Sequence, residues 1–334
     1  MKVKFFTVMF LLVAFLFGGK YADAFLDLGV SARSLAMGNS TGAIDTTGTA
    51  FVFNPAGIAY VRNFDLNCMY TVNFGMASTS YIGIVKGVKG EVGFGISWIR
   101  FSVEDIPIRP DIFRLVSGEK ERRDTVRVIS RLPLNTFDDF EDAFFISVGR
   151  KFVRYVDFGW RYAKVRVEIP VGLNIKLVRK RLYYLTGNGI GIDLGFRLRM
   201  RGKDLFEIRN IGDLVIGFTY RNIGGCTIYW SSRKQDCVEM DRLFSLGFFQ
   251  PVRRFDSVVV ISLQKSQVYN EMTGGIEFGI KRAIYFRAGY SDVGLLLGVG
   301  LNFRKFGFLV SIDYALYMHE DLTAAHRVGG GVKF

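Results

Sequence analysis

From Asp65 almost to the last residue, the sequence alternates apolar and polar side chains with a period of two. Successive side chains of a β-strand point to opposite faces, so this period predicts strands with one apolar and one polar face. In Ile190–Arg201 the apolar face holds Ile190, Ile192, Leu194, Phe196, Leu198 and Met200, and the polar face holds Gly191, Asp193, Gly195, Arg197, Arg199 and Arg201. We predict about fourteen strands, centred near Tyr70, Ile82, Phe94, Ile146, Leu173, Leu194, Ile216, Phe244, Ile261, Phe278, Phe286, Leu301, Ile312 and Val328. Long connections at Lys151–Arg161 and Gly202–Asp213 leave counts of about twelve or sixteen open.

The polar faces distinguish a barrel from a soluble sandwich. The polar face of a sandwich meets bulk water and carries long charged side chains. Here that face is repeatedly glycine, at Gly93, Gly95, Gly172, Gly191, Gly195, Gly279, Gly329 and Gly331. Small residues suit an inner wall that packs closely against a central segment. We therefore predict an all-β fold, a transmembrane antiparallel β-barrel.

Composition supports a barrel whose apolar face meets lipid. The 334 residues are 49% hydrophobic and 15% aromatic, with 32 Phe and 15 Tyr, and the mean hydropathy is +0.21. Beyond the N-terminus no run of about eighteen apolar residues could form a spanning helix. Such a chain is either a large soluble β-protein or a closed membrane barrel, and aromatic girdles are typical of the barrel.

The N-terminal residues are not strands. Residues 1–24 have the features of a cleaved signal peptide, which are a basic start, a short apolar core and a small-residue cleavage site: Lys2, Lys4, Phe5–Phe17 and Ala22–Ala24. The alternative, an uncleaved anchor, needs a longer apolar core. Ser31–Val61 is rich in small residues without a period of two, and Asn54 and Pro55 are typical of a helix start. We predict a small N-terminal plug at 25–63 and a barrel at 64–334.

Several stretches resemble one group of known barrels. Ser31–Gly38 (SARSLAMG) and Asn54–Ala59 (NPAGIA) are similar to the N-terminal region of FadL-like outer-membrane barrels, and the similarity is greatest to the PorV/PorQ branch. Val171–Asp193 and Tyr314–Phe334 resemble the same branch. The resemblance implies a location in the outer membrane and one of two roles. One is passage of hydrophobic small molecules, which would enter from outside and meet the plug at Asn54, Pro55, Ala56 and Gly57. The other is support of protein secretion or surface attachment; a structural barrel without transport activity remains a third possibility.

The C-terminal strand also resembles that of outer-membrane barrels. Val328, Val332 and Phe334 alternate towards a terminal aromatic residue. In such barrels this pattern is read by the barrel-assembly machinery, so the resemblance implies that machinery and outer-membrane lipid as partners.

Three polar residues on one strand face are candidates for lumen ligand contacts. Asp193, Arg197 and Arg199 lie at alternate positions of one strand, four and two residues apart, and should all face the lumen. They form either a salt-bridge network with the plug or a carboxylate site, because arginine binds carboxylate through two hydrogen bonds. Cys226 and Cys237 bracket one predicted outer loop, and an oxidising compartment would allow them to form a disulfide.

Charge and motifs exclude other classes. The net charge is +13, but we do not expect nucleic acid as a partner, because the chain is exported and its basic residues are not clustered. Two His and three Cys are too few for a His/Cys metal site. No catalytic or nucleotide-binding motif is present. We therefore predict no enzyme activity, no cofactor and no metal.

Two further features are left open by the residues alone. Basic residues recur at the predicted inner rim, including Arg150, Lys151, Arg304 and Lys333. They either lie at the membrane interface or attract an anionic cargo or a periplasmic partner. Ser102–Asp142 is the longest segment without clear strands, and it is either a lid or a partner surface.

Overall fold

The computed structural model describes residues 23–130, 132–157, 159, 164–208, 210–253, 256–291, 294–318 and 324–334. The predicted signal peptide lies outside this part, apart from its last two residues. Sixteen strands are present in the described residues: β1 Phe64–Asn73, β2 Ala77–Val88, β3 Val92–Pro107, β4 Thr136–Val156, β5 Val165–Leu182, β6 Leu185–Met200, β7 Asp213–Arg221, β8 Cys226–Trp230, β9 Gln235–Val238, β10 Asp241–Val252, β11 Ser257–Ser266, β12 Met272–Ile280, β13 Ile284–Ser291, β14 Gly294–Lys305, β15 Phe308–Tyr317 and β16 Ala325–Lys333.

Fourteen of these strands close into an antiparallel barrel, while β8 and β9 form a hairpin against β6. Each barrel strand pairs with its neighbour along the barrel, and β16 pairs with β1 to complete the circle. Every predicted strand centre lies in a different barrel strand, so the predicted all-β barrel of about fourteen strands is confirmed.

The apolar faces point outward, as the period of two predicts. On β6, Ile190 is 64% exposed, whereas Arg197 on the opposite face is fully buried. The register sets outward isoleucines side by side across five strands: Ile84, Ile96, Ile146, Ile175 and Ile192. The barrel therefore has a continuous apolar outer surface.

Residues 23–63, which we call the inner segment, lie inside the barrel. They contain short helices at Ala24–Leu26, Ala32–Ala36, Ala50–Val52 and Pro55–Tyr60. Close approach to the wall requires glycine: a Cβ on Gly172 or Gly195 would collide with Pro55, and one on Gly93 with Ile58. Other glycines of the predicted set, such as Gly191 and Gly279, instead face side chains of the wall.

The barrel has two unlike ends. The terminal end holds the start of β1 and the C-terminus, where Phe64 and Phe334 exchange backbone hydrogen bonds. The loop end holds the longest connection, and here the structure corrects the sequence analysis. Ser102–Asp142 is not strandless, because β3 continues to Pro107 and β4 begins at Thr136 across a bulge between Val103 and Ile106. Between these strands lie helices at Ile112–Leu115 and Glu119–Ile129.

Two elements of the connections were not predicted. The β8–β9 hairpin lies in the loop-end connection between β7 and β10. A short helix, Gly202–Phe206, lies in the terminal-end connection between β6 and β7. No helix in the described part of the chain is both long and apolar enough to cross a membrane.

Candidate functional site

A cavity of about 430 Å³ opens at the loop end above the inner segment. Its floor is made by the inner segment, and its walls by the loop-end residues of β1, β7 and β10–β16. The apolar side chains that line it are Leu28, Leu35, Phe53, Phe74, Leu243, Leu296 and Tyr317. We call it the loop-end cavity; its volume lies within the range typical of small-molecule sites.

Arg327 on β16 gives this cavity a buried positive charge. Its side chain is almost fully buried, and Nε donates to Thr71 Oγ1 at 2.8 Å while Nη1 donates to the Leu28 carbonyl at 2.7 Å. All of these acceptors are neutral, and no ion pair to a described carboxylate is present. Because an unpaired buried charge is costly, this position favours a negatively charged group in the cavity.

The second arginine of the cavity is neutralised. Arg221 forms ion pairs with Asp27 and, at 3.9 Å, with Asp241. Burial raises the pKa of the Asp27 carboxyl, and the charge of Arg221 opposes this rise. The neighbouring Asn222 donates to Asp23 at 2.8 Å, which holds the start of the inner segment at the loop end.

A second, polar cavity of about 280 Å³ lies on the terminal side of the inner segment. An ionic chain runs along it. Arg33 donates to both oxygens of Glu277 at 2.7 and 2.8 Å, and Arg287 donates to Glu277 at 2.6 Å and to Asp313 at 2.6 Å. We call it the terminal-side cavity.

One short stretch, Leu28–Ala36, contributes residues to both cavities, and we call it the partition. Leu28 and Leu35 line the loop-end cavity, whereas Val30–Arg33 line the terminal-side cavity. The partition helix begins after Ser31, whose Oγ accepts a hydrogen bond from Ser34 N at 2.9 Å.

The predicted gate residues lie elsewhere. Asn54, Pro55, Ala56 and Gly57 line neither cavity. Asn54 is fully buried, and its Nδ2 donates to the Phe196 carbonyl at 3.1 Å on β6, while its Oδ1 accepts from Ala56 N. These contacts hold the four residues against the wall, and their role as a gate stays a prediction.

The three predicted ligand contacts are also engaged with protein groups. Arg197 donates to the carbonyls of Asp45 and Asn54, Asp193 pairs with Lys176 at 3.0 Å, and Arg199 pairs with Asp213 at 2.8 Å. None of the three lines either cavity. Arg197 thus contacts the inner segment through backbone carbonyls, whereas Asp193 and Arg199 form ion pairs with residues of the wall. The arginine that faces a cavity without an ionic partner is Arg327.

The predicted disulfide is absent from the structure. Cys226 and Cys237 are both free. Cys226 is paired with Val238 and Cys237 with Thr227, so the two cysteines occupy adjacent pairs and their thiols point to opposite faces of the β8–β9 hairpin. The spacing in the sequence allowed the loop ends to meet, but the register separates the thiols.

The C-terminal residues form part of the barrel closure. Val328 and Phe334 are exposed on the outward face of β16, which they share with Val332. The ring of Phe334 stacks on Phe64 with a centroid distance of 5.0 Å and meets Phe308 edge-on. The interaction of this strand with assembly machinery stays a prediction.

Comparison with known proteins finds similarity of shape. No family model matches the chain, and no curated protein matches it. The Ralstonia pickettii toluene transporter TbuX matches with a TM-score of 0.47 and 12% identity over 92% of this chain and 98% of that chain. The P. putida toluene transporter TodX matches with a TM-score of 0.45 and 10% identity over 92% of this chain and 97% of that chain. The KdgM porin matches with a TM-score of 0.37 and 8% identity over 81% of this chain and 99% of that chain. The likeness to the PorV/PorQ branch stays a prediction.

Proposed function

We propose that this protein is an outer-membrane barrel that admits small amphiphilic molecules through the loop-end cavity. The observation that carries the proposal is this cavity, whose apolar walls surround the buried, ionically unpaired Arg327. Such a site suits an apolar chain or ring that carries one negatively charged group.

The outer surface supports the membrane location. Large apolar side chains are exposed all around the barrel, for example Ile96 at 67%, Leu295 at 59% and Phe286 at 50%. Exposure of so much apolar surface to water would be costly, whereas lipid accommodates it. Closure of the barrel leaves no strand edge in the hydrocarbon region, as a membrane requires. By the usual asymmetry of such barrels, the long loop-end connections face outward.

The route inward follows the wall formed by β11–β16. The loop-end cavity and the terminal-side cavity are both lined by these strands and by opposite sides of the partition. A ligand would pass when the partition moves, and Asn54–Gly57 would stay in place. The ionic chain of Arg33, Glu277, Arg287 and Asp313 would then meet a charged group that arrives from above.

Native mass spectrometry of the protein in a mild non-ionic detergent tests the proposal with dodecanoate and dodecanol as probes. We expect a bound dodecanoate and weaker retention of dodecanol. Arg327→Gln should lower dodecanoate binding by about ten- to a hundredfold, because a hydrogen bond to a charged group contributes about 1.5–3 kcal/mol. Leu28→Trp, which fills the cavity, should lower the binding of both probes.

The control is Arg123→Gln, which alters an exposed arginine on the loop-end helix and should bind dodecanoate like the unaltered protein. Unchanged binding in both Arg327→Gln and Leu28→Trp would contradict the proposed site. A co-purifying polypeptide with no bound amphiphile would favour support of secretion or surface attachment. A barrel that retains neither would favour a structural role without transport.

A further inference from the structure

At the terminal end, β4 extends beyond its neighbour β3. Pairing of β3 with β4 ends at Val92 and Arg150, followed by one hydrogen bond of 2.6 Å from Lys151 N to the Glu91 carbonyl. β4 then continues to Val156. These residues pair only with β5, and the last pair is Val156 with Val165. In the part of the chain that the structure describes, residues 152–156 therefore form a free sheet edge.

The backbone groups on this edge can be assigned from the strand geometry. In an antiparallel strand, alternate residues direct their N–H and C=O groups to the same side. Since Lys151 N points away from β5, the N–H groups of Val153 and Tyr155 do so as well. The Val153 carbonyl accepts from Nη1 of Arg154 at 3.2 Å, which agrees with this assignment. A row of such groups is a template for a further strand.

The edge is held in place by packing on the neighbouring strand. Val165 and Val167 of β5 are 0% and 3% exposed, although they lie on the outward face. The connection that holds helix Gly202–Phe206 is bonded to β5: Arg166 N donates to Asp204 and Arg201 N donates to the Arg166 carbonyl. The edge is thus formed before any partner arrives, which lowers the entropic cost of binding.

The positive charge around the free edge of β4 favours an acidic partner. Residues 150–168 contain six Lys and Arg but two Asp and Glu. Arg150, Lys151 and Arg154 lie on β4 itself. Two copies of this edge placed side by side would set like charges opposite each other, which disfavours self-association. An acidic strand would be complementary in charge as well as in backbone hydrogen bonds.

We propose that the free edge of β4 at residues 152–156 binds an extended acidic segment of another protein by strand addition. The side chains of Phe152 and Tyr155, which are 36% and 65% exposed, supply apolar contact beside the backbone hydrogen bonds. This inference is independent of the transport proposal, because the edge lies at the opposite end of the barrel from the loop-end cavity.

Fluorescence anisotropy tests the proposal, with the protein in nanodiscs of zwitterionic lipid and a labelled peptide that alternates valine and glutamate. We expect saturable binding, while a peptide that alternates valine and lysine should not bind. Val153→Pro removes an edge N–H at a position where an edge strand tolerates proline. It should weaken binding about tenfold, the loss expected for one or two backbone hydrogen bonds.

Arg154→Glu should weaken binding of the acidic peptide and allow the basic peptide to bind. The control Arg123→Glu at the loop end should leave the binding of both peptides unchanged. A folded barrel migrates differently on gels before and after heating, and the same difference in each variant establishes that the variant is folded. Binding that survives Val153→Pro would overturn strand addition. The proposal would also fall if anionic vesicles bound the protein equally with and without Val153→Pro, or if the unaltered protein formed dimers that this substitution dissociates.

Discussion

Two regions of the inner segment meet the barrel wall in different ways. Asn54–Val61 is docked by its backbone onto wall glycines, with Pro55 against Gly172 and Val61 against Gly87. The partition approaches wall glycines closely at Ala36, whose carbonyl lies against Gly289 and whose Cβ lies against Gly298. It is also held by side chains, namely the Arg33–Glu277 pair and the hydrogen bonds of Arg327. Docking onto glycine leaves no room for a new position, whereas ion pairs can exchange partners. The first region is therefore an anchor, and the second is suited to move.

The largest expected effect comes from the anchor. Gly172→Ala places a methyl group into the Pro55 backbone, and we expect a loss of about 3 kcal/mol in the free energy of unfolding, because neither backbone can yield. Urea unfolding followed by tryptophan fluorescence measures this loss. The control is Gly95→Ala, where the nearest atom is a side-chain carbon of Val85 at 3.0 Å. If both variants lose equal stability, the docking described for Asn54–Val61 is not special.

An intermediate effect is expected at the ion pair below the partition. Arg33→Met should lower the free energy of unfolding by about 2 kcal/mol, less than for a fully buried pair, since Glu277 retains Arg287 as a partner. The conductance of planar bilayers should rise, because the partition is released. Arg100→Met removes a similar two-bond pair with Asp142 at the loop end and should leave conductance unchanged. Equal conductance in the two variants would argue against a movable partition.

The last comparison is between the helix caps of the two regions, and the smallest effect is expected for Ser31→Ala. Ser31→Ala removes the cap of the partition helix and should cost about 1 kcal/mol, with a small rise in conductance. Asn54→Ala removes a cap and a hydrogen bond to the wall, so it should cost about 2 kcal/mol without a change in conductance. Thermal unfolding and bilayer recordings on the same preparations compare the two variants in stability and conductance. A conductance change in Asn54→Ala alone would reverse the assignment of anchor and movable part.

The fold could be predicted because strand alternation is a local property. Each of the fourteen strands displays its own two faces, and glycine on the inward face at Gly93, Gly172 and Gly195 already indicated a filled interior. The extended ends of β3 and β4 were missed, since the pairs from Ser102 with Phe140 to Pro107 with Thr136 are set by register across a bulge. Alternation in one strand does not reveal that register.

The candidate site was harder to predict because it depends on contacts between distant parts of the chain. Asp193, Arg197 and Arg199 were placed correctly on the inward face, but their partners could not be known from one strand. Arg327 was missed although it alternates with Val328 on β16, because the absence of an ionic partner only emerges once Leu28 and Thr71 are brought beside it. The same holds for the cysteines, which are close in sequence but face apart.

The junction of β1 with β16 has a consequence for how the molecule is made. The inner segment is synthesised before all the barrel strands, whereas β16 follows the other barrel strands and carries Arg327, which donates to the Leu28 and Ser31 carbonyls. Completion of the circle and fixation of the partition by Arg327 therefore coincide. A chain truncated before Ala325 should retain an unclosed sheet in which Asn54–Val61 is still docked but the partition lacks the hydrogen bonds of Arg327. Quality-control proteases would then meet an open intermediate rather than a slightly weakened barrel.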